Sequence, residues 1–220
     1  MIRCGGIVVC GGRGTRMGIP KVRLPFGDEP MLARIVRRLS VVTHPVVVVA
    51  AVDEQLPPLP AGVAVAHDRS PGCGPLEGIA VGLRYLQDEV EAAYVTSCDV
   101  PGITPEFVRY MIDRLGTDDV AVPKEGEFYH PLAAVYRTSV LTDVEQLLAA
   151  GQRRPYFLLG RVAVREVTTD ELRTVDPELR TLHNLNQPDD YRQALEREGL
   201  PIPAGWDAAF SAENPPRPTP

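Results

Sequence analysis

Residues 8–24, Val-Val-Cys-Gly-Gly-Arg-Gly-Thr-Arg-Met-Gly-Ile-Pro-Lys-Val-Arg-Leu, run from an apolar strand straight into a glycine-rich turn that carries Arg16 and Lys21. Gly11, Gly12 and Gly14 let backbone N–H groups approach phosphate oxygens with no Cβ in the way, and the two cations can neutralise charge on the same oxygens. The turn is not a Walker loop, because Lys21 is followed by Val22. Nor does it continue as the Gly-x-Gly-x-x-Gly of a dinucleotide fold. A glycine pair alone also suits a plain surface turn. The two cations, with an apolar stretch after them, direct the reading to a polyphosphate.

Outward from that turn, strands and helices alternate. Residues 30–41 repeat Met31, Leu32, Ile35, Val36 and Leu39 at helical spacing. Residues 46–51 are wholly apolar and rich in valine, the pattern of a strand buried on both faces of a parallel sheet. Residues 62–66, 92–97 and 120–123 read as further strands and 76–86 as a helix. Thr104 reads as an N-cap with Pro105 at the first helical position, opening a helix through 115. Later come strands at 131–136 and 162–167 and helices at 142–150 and 188–198. This rhythm predicts an α/β fold with a single doubly wound, mostly parallel, Rossmann-like sheet, whose ligand site lies beyond the carboxyl ends of the strands. The expected organisation is one domain over 1–200 and a disordered proline-rich tail over 201–220.

Composition narrows the function. The chain has 220 residues, 44% of them hydrophobic, which is ample for a core, and a net charge of -6. That charge argues against a nucleic-acid backbone or an anionic membrane as the main partner, so phosphate binding is local. Cys4, Cys10, Cys73 and Cys98 form no Cys-x-x-Cys pair and read as small apolar fillers in a reduced compartment. No apolar run approaches the roughly 20 residues that span a bilayer, and the first residues lack a signal's apolar stretch. A cytoplasmic protein is expected.

Three more segments carry chemistry. Asp99 stands where the 92–97 strand meets Val100-Pro101, a natural position for a Mg²⁺ ligand shared with substrate phosphates; the alternative is that it caps the turn before Thr104. His67-Asp68 ends another strand on the same edge, and Gly72, Gly74 and Gly78 would let backbone approach a flat ligand. In His183-Asn-Leu-Asn-Gln-Pro-Asp, Asn184 and Asn186 point to one side of an extended segment, unless Asn186 or Gln187 merely caps the helix opened by Pro188. His130, alone before a strand, carries a weaker signal.

Taken in order, Gly-Gly-x-x-x-Arg-Met-Gly-x-x-Lys at 11–21, Gly-Pro-Leu-x-Gly-Ile at 74–79, Cys-Asp-x-Pro at 98–101, His-Pro-Leu at 130–132 and Asn-x-Asn-x-Pro at 184–188 resemble the molybdenum cofactor guanylyltransferases. The resemblance covers roughly residues 5–198, with 146–154 also family-like. It implies the nucleotide-diphospho-sugar transferase type of fold and transfer of GMP from GTP to molybdopterin. The implied partners are GTP, the molybdenum cofactor and cofactor-delivery or molybdoenzyme proteins, with neither nucleic acid nor membrane. Also implied are catalytic roles for Arg16, Lys21 and Asp99, with Asp99 the Mg²⁺ ligand. Gly11, Gly12, Gly14, Asp68 and Gly78 would serve the nucleotide. Asn184 and Asn186, with His130, Arg153 and Arg154, would face the pterin or complete the metal shell. One departure concerns the base: the family's second strand often ends in asparagine near guanine, whereas Val49-Ala50-Ala51-Val52 offers no amide. A related transferase using CTP or another phosphorylated acceptor, or a non-catalytic nucleotide-binding regulator, are the alternative readings. Lys21, Arg16 and Asp99 together disfavour the regulator.

Overall fold

Valine-rich strands are buried along their whole length here because helices cover both sides of the sheet. In β1 (Cys4–Cys10), β4 (Val46–Ala50) and β6 (Ala92–Ser97) every residue is buried. The computed structural model describes residues 2–11, 20–68 and 74–203; the proline-rich stretch 204–220 lies outside them. A short hairpin, β2 (Pro25–Phe26) and β3 (Glu29–Pro30), leads into α1 (Met31–Leu39). β5 (Ala64–His67), α2 (Pro75–Leu86), α3 (Pro105–Arg114), β7 (Val120–Glu125), β8 (Phe128–Tyr129) and β9 (Ala133–Arg137) follow around β6. α4 (Leu141–Ala149), α5 (Tyr156–Leu159), β10 (Val164–Thr168), α6 (Thr169–Leu172) and α7 (Pro188–Arg197) complete the described chain. Among the described residues, no helix is long and apolar enough to cross a membrane.

The main sheet runs β10-β7-β9-β6-β1-β4-β5, with β8 on the side of β7. β5, β4, β1 and β6 are parallel, β10 is parallel to β7, and β9 is antiparallel to both its neighbours. The doubly wound, mostly parallel sheet is therefore present, but the 131–136 segment reverses direction within it. The cause is the tight return at Gly126 (φ 57°), which folds β8 back on β7 before the chain re-enters the sheet. Thr104 caps α3 as expected, its hydroxyl accepting from the Phe107 N–H at 3.2 Å.

Alternate side chains of each strand feed separate cores. Val8 and Cys10 of β1 pack with α1, α3 and α7, whereas Ile7 and Val9 pack with α2 and α4. α2 rides close to β1 because it meets the strand with glycines. A Cβ built on Gly78 would stand 2.7 Å from Val9 Cγ1, and one on Gly82 would stand 2.6 Å from Ile7 Cγ2. The missing side chain of Gly78 makes room for the strand beneath it. On the opposite face, α7 is held to α1 by charge. Glu198 accepts from Arg34, which is 8% exposed, and from Arg38 at 3.2 Å, and the Arg34 guanidinium lies 4.8 Å from the Phe26 ring centre.

Candidate active site

In-register pairing brings Cys10, Ala50 and His67, with Ser97 beside Val9, to one carboxyl edge. Just beyond these positions stand Gly11, Ala51, Asp68 and Asp99, so predicted site residues after three of the four strands share one rim with Ala51. Together with Glu54 and Pro75 they line a cleft of about 970 Å³. Gly12, Gly14 and Arg16 of the phosphate turn lie outside the described residues.

Lys21, the first residue of a short 3-10 turn, reaches this rim with its side chain. Lys21 Nζ donates to Asp99 Oδ2 at 2.9 Å and to Asn186 Oδ1 at 3.2 Å, while Ser97 Oγ donates to Asp99 Oδ1 at 2.5 Å. Three residues from distant parts of the chain thus meet on one ammonium group. Both members of the Lys21–Asp99 pair are largely shielded, with side chains 19% and 14% exposed, so water screens the pair less than at an open surface. The cap of the following helix is Thr104, and the Asp99 carboxylate bonds only to Ser97 and Lys21 among the described residues.

The asparagine segment is fixed by its own alternation. Leu185 is buried and its N–H donates to the Asp99 carbonyl at 2.9 Å, which leaves Asn184 and Asn186 exposed on either side of it. Gln187 is the residue at the N-terminus of α7, where Asp190 Oδ2 accepts from the N–H groups of Asn186 and Gln187. Asn186 therefore contributes its backbone to the helix start and its side chain to Lys21.

A second cleft, of about 550 Å³, opens on the other side of this cluster and shares Asn184 with the first. Its walls carry His130, Arg180, His183, Asn186, Arg197 and Glu198. Arg180 Nε donates to Glu178 at 3.0 Å, and Arg197 Nη1 lies 3.4 Å from His183 Nδ1. Sequence reading missed Arg180 and Arg197, since an arginine in a loop and one in the last turn of a polar helix look like solvent-facing charge. His130 Nε2 is buried, 3.4 Å from Glu125 Oε2 and without a hydrogen bond. Arg153 and Arg154 are exposed, and the Arg153 carbonyl would be 3.0 Å from a Cβ on Gly74. Only glycine, here at φ 79°, lets the first turn of α2 approach that loop.

Burial shapes the titration of the larger cleft. Asp68 keeps one buried oxygen without a partner; burial first, and then the negative Glu77, raise its carboxyl above the usual range. The Cys10 thiol is raised well above its usual value, first by its hydrogen bond to Cys98 and then by burial. Cys4, Cys10 and Cys98 are buried free thiols, as expected of fillers; Cys73 lies outside the described residues.

Comparison with known proteins identifies the family and the fold. The family described as MobA-like NTP transferase domain matches residues 6–167. A probable molybdenum cofactor guanylyltransferase from Pelotomaculum thermopropionicum is 33% identical over 194 residues, covering 88% of this chain and 93% of that protein. Another from Mycobacterium tuberculosis is 37% identical over 186 residues, covering 82% and 88%. In structure the chain is similar to molybdopterin-guanine dinucleotide biosynthesis protein A from Archaeoglobus fulgidus, with TM-score 0.73, 24% identity and coverage of 89% and 98%.

Proposed function

This chain belongs to the MobA-like NTP transferase family, and we propose that it transfers GMP from GTP to the terminal phosphate of molybdopterin, releasing pyrophosphate. The observation that carries this reading is the meeting of two clefts at Lys21, Asp99 and Asn186, with Asn184 on both walls. A transfer between two anionic substrates needs two compartments and a charged junction between them. The larger cleft takes the nucleotide, with Asp68 on its side. The smaller one, with Arg180, Arg197 and His183 in its walls, takes an anionic acceptor, and His130 lies on its rim. Arg153, packed against Gly74 at the start of α2, lies beside the nucleotide cleft, and neither it nor Arg154 lines the acceptor cleft.

In the reaction an acceptor phosphate oxygen attacks the α-phosphorus of GTP. The new O–P bond forms as the bond to the bridging oxygen breaks, and that electron pair leaves on pyrophosphate. The attacking oxygen is already ionised, so no general base is required. Backbone N–H groups at Gly11, Gly12 and Gly14, with Arg16 and Lys21, hold the triphosphate and offset the charge that develops on the leaving group. Asn184 and Asn186 orient the acceptor against Asp99, and rate comes from alignment and electrostatics.

The donors present suit Mg²⁺. Asp99 Oδ2 and Asn186 Oδ1 already converge on one cationic group, and both are hard oxygen donors. Among the described residues no group of three or more His, Cys, Asp or Glu could hold a metal, so substrate phosphates would supply much of the shell. When bound there, Mg²⁺ neutralises phosphate charge. Buried free thiols support a reducing, cytoplasmic setting, and cofactor-delivery or molybdoenzyme proteins would take the product onward.

The test is pyrophosphate release from GTP with Mg²⁺, with and without molybdopterin, beside a panel in which GTP, CTP, ATP and UTP protect the protein against thermal unfolding. Release that depends on the acceptor, and protection greatest for GTP, are expected. Equal protection by CTP would overturn the guanine assignment, and release that ignores molybdopterin would overturn the acceptor.

A further inference from the structure

The end of β4 offers only Ala50 and Ala51 to a base, and an apolar surface cannot tell guanine from cytosine by hydrogen bonding. The next turn supplies what the strand lacks. Glu54 N–H closes back on the Ala51 carbonyl at 3.1 Å, so the chain curls over the strand end and Glu54 lines the same cleft as Cys10, Ala51 and Asp68. The next residue is braced: Arg23 donates to the Gln55 carbonyl at 2.8 Å and to Gln55 Oε1 at 3.2 Å, tying this turn to the segment that carries Lys21. Glu54 itself is half-buried, and among the described residues its carboxylate has no hydrogen-bond or ion-pair partner. Its charge is nonetheless felt at the cleft floor, where it adds to the larger effects of Cys98 and burial in raising the Cys10 thiol.

We infer that Glu54 is the residue that selects guanine, accepting from N1–H and from the 2-amino group of the base through its two carboxylate oxygens. The inference rests on the nucleotide assignment made above. Guanine presents two adjacent donors on its Watson–Crick edge, which a carboxylate accepts as a charge-assisted pair. Cytosine and adenine present one donor beside a ring-nitrogen lone pair, and uracil one donor between two carbonyls, so each would set a lone pair against the carboxylate. The position suits this role. From the end of β6, where Asp99 stands, to the end of β4 is two strand spacings, about 10 Å, the scale on which a nucleotide reaches from its phosphates to its base. Asp53 is the neighbouring carboxylate, exposed at the rim.

Dissociation constants for GTP, ITP and CTP with Mg²⁺, measured by calorimetry on wild type, Glu54→Gln, Glu54→Ala and Asp53→Asn, decide the matter. ITP differs from GTP only by the missing 2-amino group. Wild type should prefer GTP over ITP by roughly 10- to 100-fold, the worth of one hydrogen bond to a charged group. In either Glu54 variant that preference should fall to within about threefold while Asp53→Asn keeps it, with each variant's melting temperature confirming that it is folded. A GTP preference that survives in the Glu54 variants overturns this inference and leaves the guanylyl reading standing, as does a preference lost in Asp53→Asn alone. A wild-type protein that does not distinguish GTP from CTP overturns both.

Discussion

Replacing Gly82 by alanine should destabilise the fold even though alanine is the better helix former. The added Cβ would stand 2.6, 2.7 and 2.8 Å from Ile7 Cγ2, Cδ1 and Cγ1. Relaxed carbon contacts lie at about 3.5–4.0 Å, so α2 or Ile7 must retreat by about 1 Å. Crowding of this kind costs about 1–3 kcal/mol. The removal of a mid-helix glycine returns about 0.5–1 kcal/mol. A net loss of about 1–2 kcal/mol lowers the melting temperature by roughly 2–8 °C in a domain of this size. Ile7→Val deletes only Cδ1 and leaves Cγ2 and Cγ1, at 2.6 and 2.8 Å, so it should not relieve the clash. Ile7→Ala clears all three carbons and should lose less stability beside Gly82→Ala than in the wild-type background, where about 2–5 kcal/mol is expected. Urea unfolding of the four proteins forms a double-mutant cycle with a coupling of about 1–2 kcal/mol. A neutral Gly82→Ala, or strict additivity with Ile7→Ala, would refute the close-packing account of α2.

Lys21→Ala should cut pyrophosphate release by on the order of 100-fold or more, as loss of one preorganised electrostatic contact does, while the melting temperature moves by a few degrees at most; near-normal turnover would make Lys21 an ordinary surface cation. Asp99→Asn preserves shape and one carbonyl acceptor, which Lys21 can keep while the new amide donates to the Ser97 hydroxyl, but it removes the negative charge, so Mg²⁺-dependent transfer should collapse with little change in unfolding midpoint, and undiminished transfer would end the catalytic role given to Asp99. Asp68→Asn should raise the melting temperature of the nucleotide-free protein at pH 7. The folded-state pKa of Asp68 is raised, so its ionised form penalises the fold above that pKa, and the penalty vanishes as pH falls through it. The difference between mutant and wild type should therefore shrink on acidification, and a difference that grows would reverse the assigned sign.

The layered sheet was legible because its signal is local. A run such as Val46–Ala50 can only be a strand covered on both faces, and Thr104-Pro105 announces a helix start within two residues. The reversal of β9 was not, because strand direction depends on what the chain does after the turn at Gly126, and no property of Ala133–Arg137 records it. Among site residues, Asp99 and Asn186 were legible from residue type beside a strand end or within an extended run. The packing role of Gly78 was not legible, because a glycine that admits a ligand and one that admits Val9 are the same letter, and Val9 lies in a segment distant in sequence. Glu54, Arg180 and Arg197 escaped for the opposite reason: charged residues in turns are common, and only the folded chain turns them toward a cleft.

The clasp between Glu198 and the arginines of α1, together with the Leu185 N–H bond to the Asp99 carbonyl, gives the order of synthesis a meaning. The strand ends that line the nucleotide cleft leave the ribosome early, and both asparagines and the carboxylate that neutralises Arg34 leave it late. The Glu198 contacts close loops of 160 residues or more and the Leu185 bond one of 86, so their loop-closure cost delays them further. A nascent or truncated chain lacking residues 183–198 would hold the base and phosphate half of the site without the junction that joins donor to acceptor.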